Sequence, residues 1–183
     1  LPFLEAIRQF RREVGPENVL YLHCTLVPFI EAAGELKTKP TQHSVRELMQ
    51  IGIQPDILIC RTERPLDEDV KRKIALFCNV EFGAVIESVD VPTIYEIPLA
   101  FHEQGLDEHV MRRLNLEGRT PDLGAWREIV HRIVAPRERV RIAVVGKYTD
   151  FVDSYKSVQE ALIHGGIANE IGVEIAWVSS DRF

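Results

Sequence analysis

Three short apolar runs, NVLYLHCTLV at 18–27, PDILICR at 55–61 and GAVIES at 83–88, are separated by stretches whose apolar residues recur at helical spacing. Runs of that length, rich in Val, Ile and Leu, read as buried strands. Strands alternating with amphipathic helices predict an α/β fold in which a parallel sheet is covered on both faces. FLEAIRQFRREVG supplies a helix through Leu4, Ile7, Phe10 and Val14, ended by Gly15. A second helix is expected where Ser44 opens an S-x-x-E pattern with Glu47, followed by Val45, Leu48 and Met49. LDEDVKRKIALFC reads as a third, acidic at its start, with Val70, Ile74 and Phe77 inward.

Beyond Val91 the pattern turns helical. PTIYEIPLAFHEQ and LDEHVMRRL flank Gly105, the polar stretch EGRTPDLG follows, and a helix then carries Leu123, Trp126, Ile129, Val130 and Ile133. APRERVR, which combines proline with a charge run, is the best linker candidate. After it RIAVVGKY, SYKSVQEALIHGG and VEIAWVSS spell a strand, a helix and a strand, the start of a second α/β domain. The chain opens on Leu-Pro-Phe and stops just after a strand, so it reads as a fragment of a longer protein.

The balance of charge limits the partners. With 28 acidic against 22 basic residues the net charge is -6, which argues against nucleic acid or a membrane surface as a generic partner, since both select a basic face. No run approaches the roughly 18 apolar residues of a spanning helix. Cys24, Cys60 and Cys78 sit in apolar settings without C-x-x-C spacing, which predicts buried, reduced thiols in a cytosolic protein. Neither the three cysteines nor the six histidines show metal-ligand spacing.

Against that acidic background GELKTKPTQHSV, residues 34–45, concentrates lysines, hydroxyls and an amide at one turn. Loops at the carboxyl ends of parallel strands are where ligands gather. In an extended backbone Lys37 and Lys39 point the same way, and Pro40 restrains Lys39 to an extended conformation. Thr41, Gln42 and Ser44 add donors beside helix N–H groups that favour anions. Charge-assisted hydrogen bonds of about 1.5–3 kcal/mol each would let three or four of them hold a polyphosphate. A solvated turn with Thr41 or Ser44 as a plain helix cap accounts for the same residues. A G-x-x-x-x-G-K-[ST] loop is absent.

Taken together, LPFLEAIRQ, LVPFIEAAGELKTKPTQHSV, IGIQPDILICR and KIALFCNV resemble the CTP synthase family. The resemblance runs from Leu1 to about Leu116 and resumes at Val140 with VRIAVVGKY and SYKSVQEALIHGG. It implies residues 1–116 as the later part of a synthetase (amidoligase) domain, a dethiobiotin-synthetase-like P-loop NTPase fold in partial form. It further implies 117–139 as a linker region with a helix, and 140–183 as the first β-α-β of a class I glutamine amidotransferase domain. The activity implied is the ATP-dependent amination of UTP to CTP with ammonia from glutamine, in a cytoplasmic homotetramer with GTP as a candidate effector.

Carried over by motif, the resemblance assigns UTP and feedback CTP to Lys37, Thr38, Lys39, Pro40, Thr41 and Gln42, with Lys73 and Phe77. Read without the family, Lys73 is an ordinary solvated helix lysine and Phe77 a core residue. ATP would meet Val89, Asp90 and Val91, although relatives carry lysine where Val89 stands, and Asp90 equally suits the N-cap of a helix starting at Pro92. The phosphate loop and the carboxylates for Mg2+ would precede Leu1, and the glutaminase nucleophile would follow Phe183. No catalytic residue is therefore assigned, and the 183 residues alone are expected to be inactive. The alternatives are a non-catalytic pyrimidine-nucleotide-binding regulatory module, and a structural partner that assembles through residues 92–134.

Overall fold

The computed structural model describes residues 2–116, 118 and 120–182. Glu117 and Arg119 of the polar stretch, and the chain ends Leu1 and Phe183, lie outside the described residues. The rest falls into two compact units, Leu1–Val91 with Ile97–Thr120, and Pro92–Glu96 with Pro121–Phe183.

The first unit is built on a three-stranded parallel sheet of β1 (Leu22–Leu26), β4 (Ile57–Thr62) and β5 (Val85–Val89), in the order β1-β4-β5. A short antiparallel hairpin, β2 (Phe29–Ile30) and β3 (Glu35–Leu36), leaves the end of β1. Gly34 turns it at φ 64, a left-handed conformation that a side chain disfavours. The helices of this unit are α1 (Pro2–Val14), α2 (Lys39–Gln50), α3 (Glu68–Cys78), α4 (Ile97–Glu103) and α5 (Leu106–Arg113).

The two-residue period of β4 divides the core. Leu58 and Cys60 face α2 and α3, joining Val27, Val45, Ile74, Cys78 and Val85. Ile57 and Ile59 face the other way, joining Ala84 and Ile86 beneath Phe101, Leu106 and Val110 of α4 and α5. Helices thus cover both faces of the central strand, as the alternation of elements predicts. At the β5 edge Gln104 replaces a neighbouring strand: its amide accepts from Glu87 N at 2.9 Å and donates to Glu87 O at 2.9 Å.

Three expectations about packing are corrected. Cys24 is exposed, while Cys60 and Cys78 are buried. Among the described residues β1 pairs with no strand but β4, and its Leu22 and Leu26 remain 44% and 52% exposed, so the cover over Ile57 and Ile59 stops short of this strand. Phe77 is 61% exposed. The inward stripe of α3 is Ile74, Ala75 and Cys78, and at about 100° per residue Phe77 lies off that stripe. Likewise α1 forms where its spacing predicts but buries none of its residues, leaving Phe3 and Phe10 outward.

The second unit pairs β6 (Glu138–Gly146) in parallel with β7 (Ile171–Ser179), joined by α7 (Lys156–Ala168), and includes α6 (Gly124–Val134). This is the β-α-β pattern read in the sequence, although the last residues of APRERVR already belong to β6. Gly166 lets α7 lie against β7, since a Cβ there would sit 2.4 Å from Ile171 O. Tyr95 is held in this unit by hydrogen bonds from its hydroxyl to Glu160 (3.1 Å) and to its carbonyl from Trp126 Nε1 (2.8 Å).

Candidate functional site

Because β1, β4 and β5 are parallel, their carboxyl ends share one edge, and the first turns of α2 and α3 open at that edge. The 37–42 segment begins as extended chain, with Lys37 N donating to Pro28 O at 2.9 Å. It then becomes helix at Lys39, five residues before the expected start at Ser44. Pro40 is compatible with a first helical turn, where its missing N–H has no partner to lose. Lys37 and Lys39 are therefore not alternating residues of one extended strand. Thr38 precedes the helix at φ -86, ψ -14, and its side chain makes no capping hydrogen bond.

The hydroxyls and the amide of the segment are largely occupied within the protein. Thr41 is fully buried, donates to Leu26 O at 3.0 Å and accepts from Thr25 at 3.2 Å. Gln42 Nε2 donates to Thr38 Oγ1 at 3.0 Å. His23, two residues before Thr25 on β1, meets Ser44 at 2.8 Å, and partial burial lowers the His23 pKa. A polar seam so joins β1 to the start of α2 within an otherwise apolar layer. The sequence pattern offered no sign of the partners Thr25 and His23, which lie in a strand read only as apolar.

The cations are arranged differently. Lys37 forms an ion pair with Glu35, two residues back on β3. Lys73, exposed on α3, is close enough for its charge to act on the same carboxyl. The Lys37 hydrogen bond and charge, with that of Lys73, hold Glu35 below the usual carboxylate range. Of the two lysines, only Lys37 contacts the carboxylate, while Lys73 acts on it through charge alone. Phe77 lies one turn along α3 from Lys73 and is exposed beside it. Lys39 is exposed, with no ion pair among the described residues.

An open groove of about 510 Å³ runs along the free edge of β1, lined by Cys24, Thr25, Leu26, Pro40, Ser44 and Arg61. Arg61 reaches Asp90 at 3.5 Å, so the Val89–Val91 segment at the end of β5 connects to the groove through this pair. Asp90 does not cap a helix at Pro92: the next turn is Ile94–Glu96, and Asp90 N donates to Thr62 O at 3.3 Å. Val89 and Val91 are half-buried. A smaller cavity of about 170 Å³ in the second unit contains Arg132 and Arg137. Glu128 and Glu170 already neutralise both arginines at 2.9 Å, leaving little pull on an anion.

Burial pushes the Cys60 thiol up to about 12 and the Cys78 thiol up to about 11, which makes them poor nucleophiles. No three His, Cys, Asp or Glu side chains gather as metal ligands among the described residues. No described helix is long and apolar enough to cross a membrane.

A family model for the CTP synthase N-terminus matches residues 1–116. The chain belongs to the CTP synthase family. It is similar to the CTP synthase of Geobacter sulfurreducens, 60% identical over 183 residues, covering all of this chain and 34% of that protein. The CTP synthase of Koribacter versatilis is 57% identical over 181 residues, 99% of this chain and 32% of the relative. That of the archaeon Methanocaldococcus jannaschii is 57% identical over 182 residues, with 100% and 34% covered. The chain spans about a third of the length of these CTP synthases, and the similarity continues through the second unit, beyond the reach of the family model.

Proposed function

We propose that this chain is the part of a CTP synthase that holds the pyrimidine nucleotide, in an enzyme that aminates UTP to CTP with ATP and glutamine-derived ammonia. In this reading the first unit is the later part of a dethiobiotin-synthetase-like synthetase domain, and β6-α7-β7 opens a class I glutaminase domain. The magnesium ligands and the glutaminase nucleophile belong to the rest of the longer protein. The assembly is a cytoplasmic homotetramer that CTP inhibits and GTP modulates.

The observation that carries the proposal is a helix start that holds Lys39 and no acidic residue, with Lys37 just before it, paired to a Glu35 carboxyl on which the Lys73 charge also acts. At an effective dielectric of about 20, an ammonium about 4 Å from a phosphate charge gains roughly 4 kcal/mol before desolvation. Lys37, Lys73 and Lys39 bind the triphosphate, and Phe77 offers an apolar surface to the nucleoside. Thr38, Pro40, Thr41 and Gln42 shape the turn that presents Lys39. Val89, Asp90 and Val91 meet ATP, chiefly through main-chain atoms at Val89, which has no polar side chain. The work of this chain is to fix the uracil O4 where ATP phosphorylates it and ammonia then displaces the phosphate.

Calorimetric titration of the intact enzyme with UTP and with uridine tests this. Lys37→Ala and Lys73→Ala should each weaken UTP about tenfold or more and leave uridine unchanged. Unaltered UTP binding in both variants would refute the assignment. Nucleotide binding without ATP turnover in the intact protein would favour the regulatory-module reading.

A further inference from the structure

Glu35 has no part in the assignment above, yet it is the acidic group nearest to it. Glu35 and Lys37 are two residues apart on extended chain, so their side chains leave the backbone on one side. The hairpin fixes that spacing: Ile30 pairs with Glu35, and Lys37 N is tied to Pro28 O at 2.9 Å. The Lys37 ammonium donates to Glu35 Oε1, and Lys73 of α3 acts by its charge on the same carboxylate. The ion pair is 42% and 59% exposed at its two ends, so solvent screens it and it breaks readily.

We infer that Glu35 is a resident counter-ion for Lys37, which the polyphosphate tail of the nucleotide displaces and which thereby sets nucleotide affinity. This rests on the lysine assignment of the preceding subsection. Each phosphate bond to Lys37 replaces a bond to Glu35, and the displaced carboxylate also repels the tail. Affinity is therefore held below what the lysines alone would give. For an enzyme whose product carries the same tail as its substrate, such a limit would favour release of both UTP and CTP.

The test uses the intact enzyme, with Glu35→Gln, Glu35→Asp, Lys37→Ala and the double variant Glu35→Gln/Lys37→Ala. Glu35→Gln should bind UTP and CTP about twofold to fivefold more tightly, the range expected for an exposed pair. Glu35→Asp should stay near the wild-type value, and uridine binding should not change. In the Lys37→Ala background most of the gain should disappear, and raising the salt should shrink it. An unchanged or weaker affinity in Glu35→Gln would overturn the inference. So would an equal gain for uridine, which would mean that the hairpin has loosened. Should Lys37→Ala itself leave UTP binding intact, the lysine assignment fails instead, so the two failures are distinguishable.

Discussion

α2 and α3 leave the same edge of one sheet, yet their first turns are opposite in chemistry. α3 is complete in itself: Asp67 accepts from Val70 N at 2.8 Å, and Glu68 and Asp69 complement the helix dipole. α2 has no side-chain cap and no acid in its first turn, and carries Lys39 there. Caps and first-turn acids stabilise a helix by about 0.5–2 and 0.3–1 kcal/mol respectively. α2 forgoes both, leaving its N-terminal N–H groups and a cation available to an anion from outside. The contrast separates a helix end built for stability from one built to receive a ligand.

The largest predicted effect comes from giving α2 the acidic start that α3 has. Lys39→Glu should weaken UTP binding to the intact enzyme about a hundredfold, by removing one charge-assisted bond and adding repulsion. It should leave the thermal unfolding midpoint unchanged or slightly raised, because an acid suits that position. Loss of stability together with binding would mean that Lys39 is structural, and the comparison would fail.

The seam beneath α2 gives the next effect. Thr41→Val leaves Leu26 O and Thr25 without their buried partner and should cost about 1–3 kcal/mol in urea unfolding. Thr41→Ser should recover most of that loss. If valine proved neutral, the seam would not be what anchors α2 on β1.

On the α3 side, Asp67→Ala should cost about 1 kcal/mol and leave UTP affinity unaltered. At the equivalent position of α2, Thr38→Ala removes no cap bond but takes the acceptor from Gln42 Nε2, so measured in a Gln42→Ala background it should cost less than Asp67→Ala. Equal losses at the two positions would erase the distinction between the helices.

The smallest effect is a pH dependence from the seam between β1 and α2. Burial lowers the His23 pKa, so below the ordinary value near 6.5 the unfolded chain takes up a proton that the native histidine resists. Stability should therefore fall as pH drops through the window just under 6.5, and the slope should shrink in His23→Asn. A slope that survives the substitution belongs to other groups.

Legibility in the sequence followed the strength of local periodicity. β4, β5 and the β6-α7-β7 unit were readable because their apolar runs are short, bounded and strictly spaced. α3 was readable because Asp67, Glu68 and Asp69 mark its start and Asn79, at φ 53, its end. The start of α2 at Lys39 is hard to read because proline restrains the residue before it and Ser44 offers a more familiar cap. Phe77 was put inside because spacing from Val70 and Ile74 fits it loosely, and only the packing of Ala75 and Cys78 turns it out. Cys24 looked buried because an apolar run does not tell a central strand from an edge. The lysines are legible as a motif, whereas Glu35 gains its meaning only from its ion pair with Lys37 in the folded hairpin. An E-x-K pair in extended chain was the signal available for it.

The most direct test is a structure of the intact enzyme with UTP bound. The lysine assignment predicts the Lys37 and Lys73 ammonium groups about 2.7–2.9 Å from phosphate oxygens, with Glu35 turned away from Lys37. A triphosphate bound elsewhere, with the Lys37–Glu35 pair intact, would contradict it.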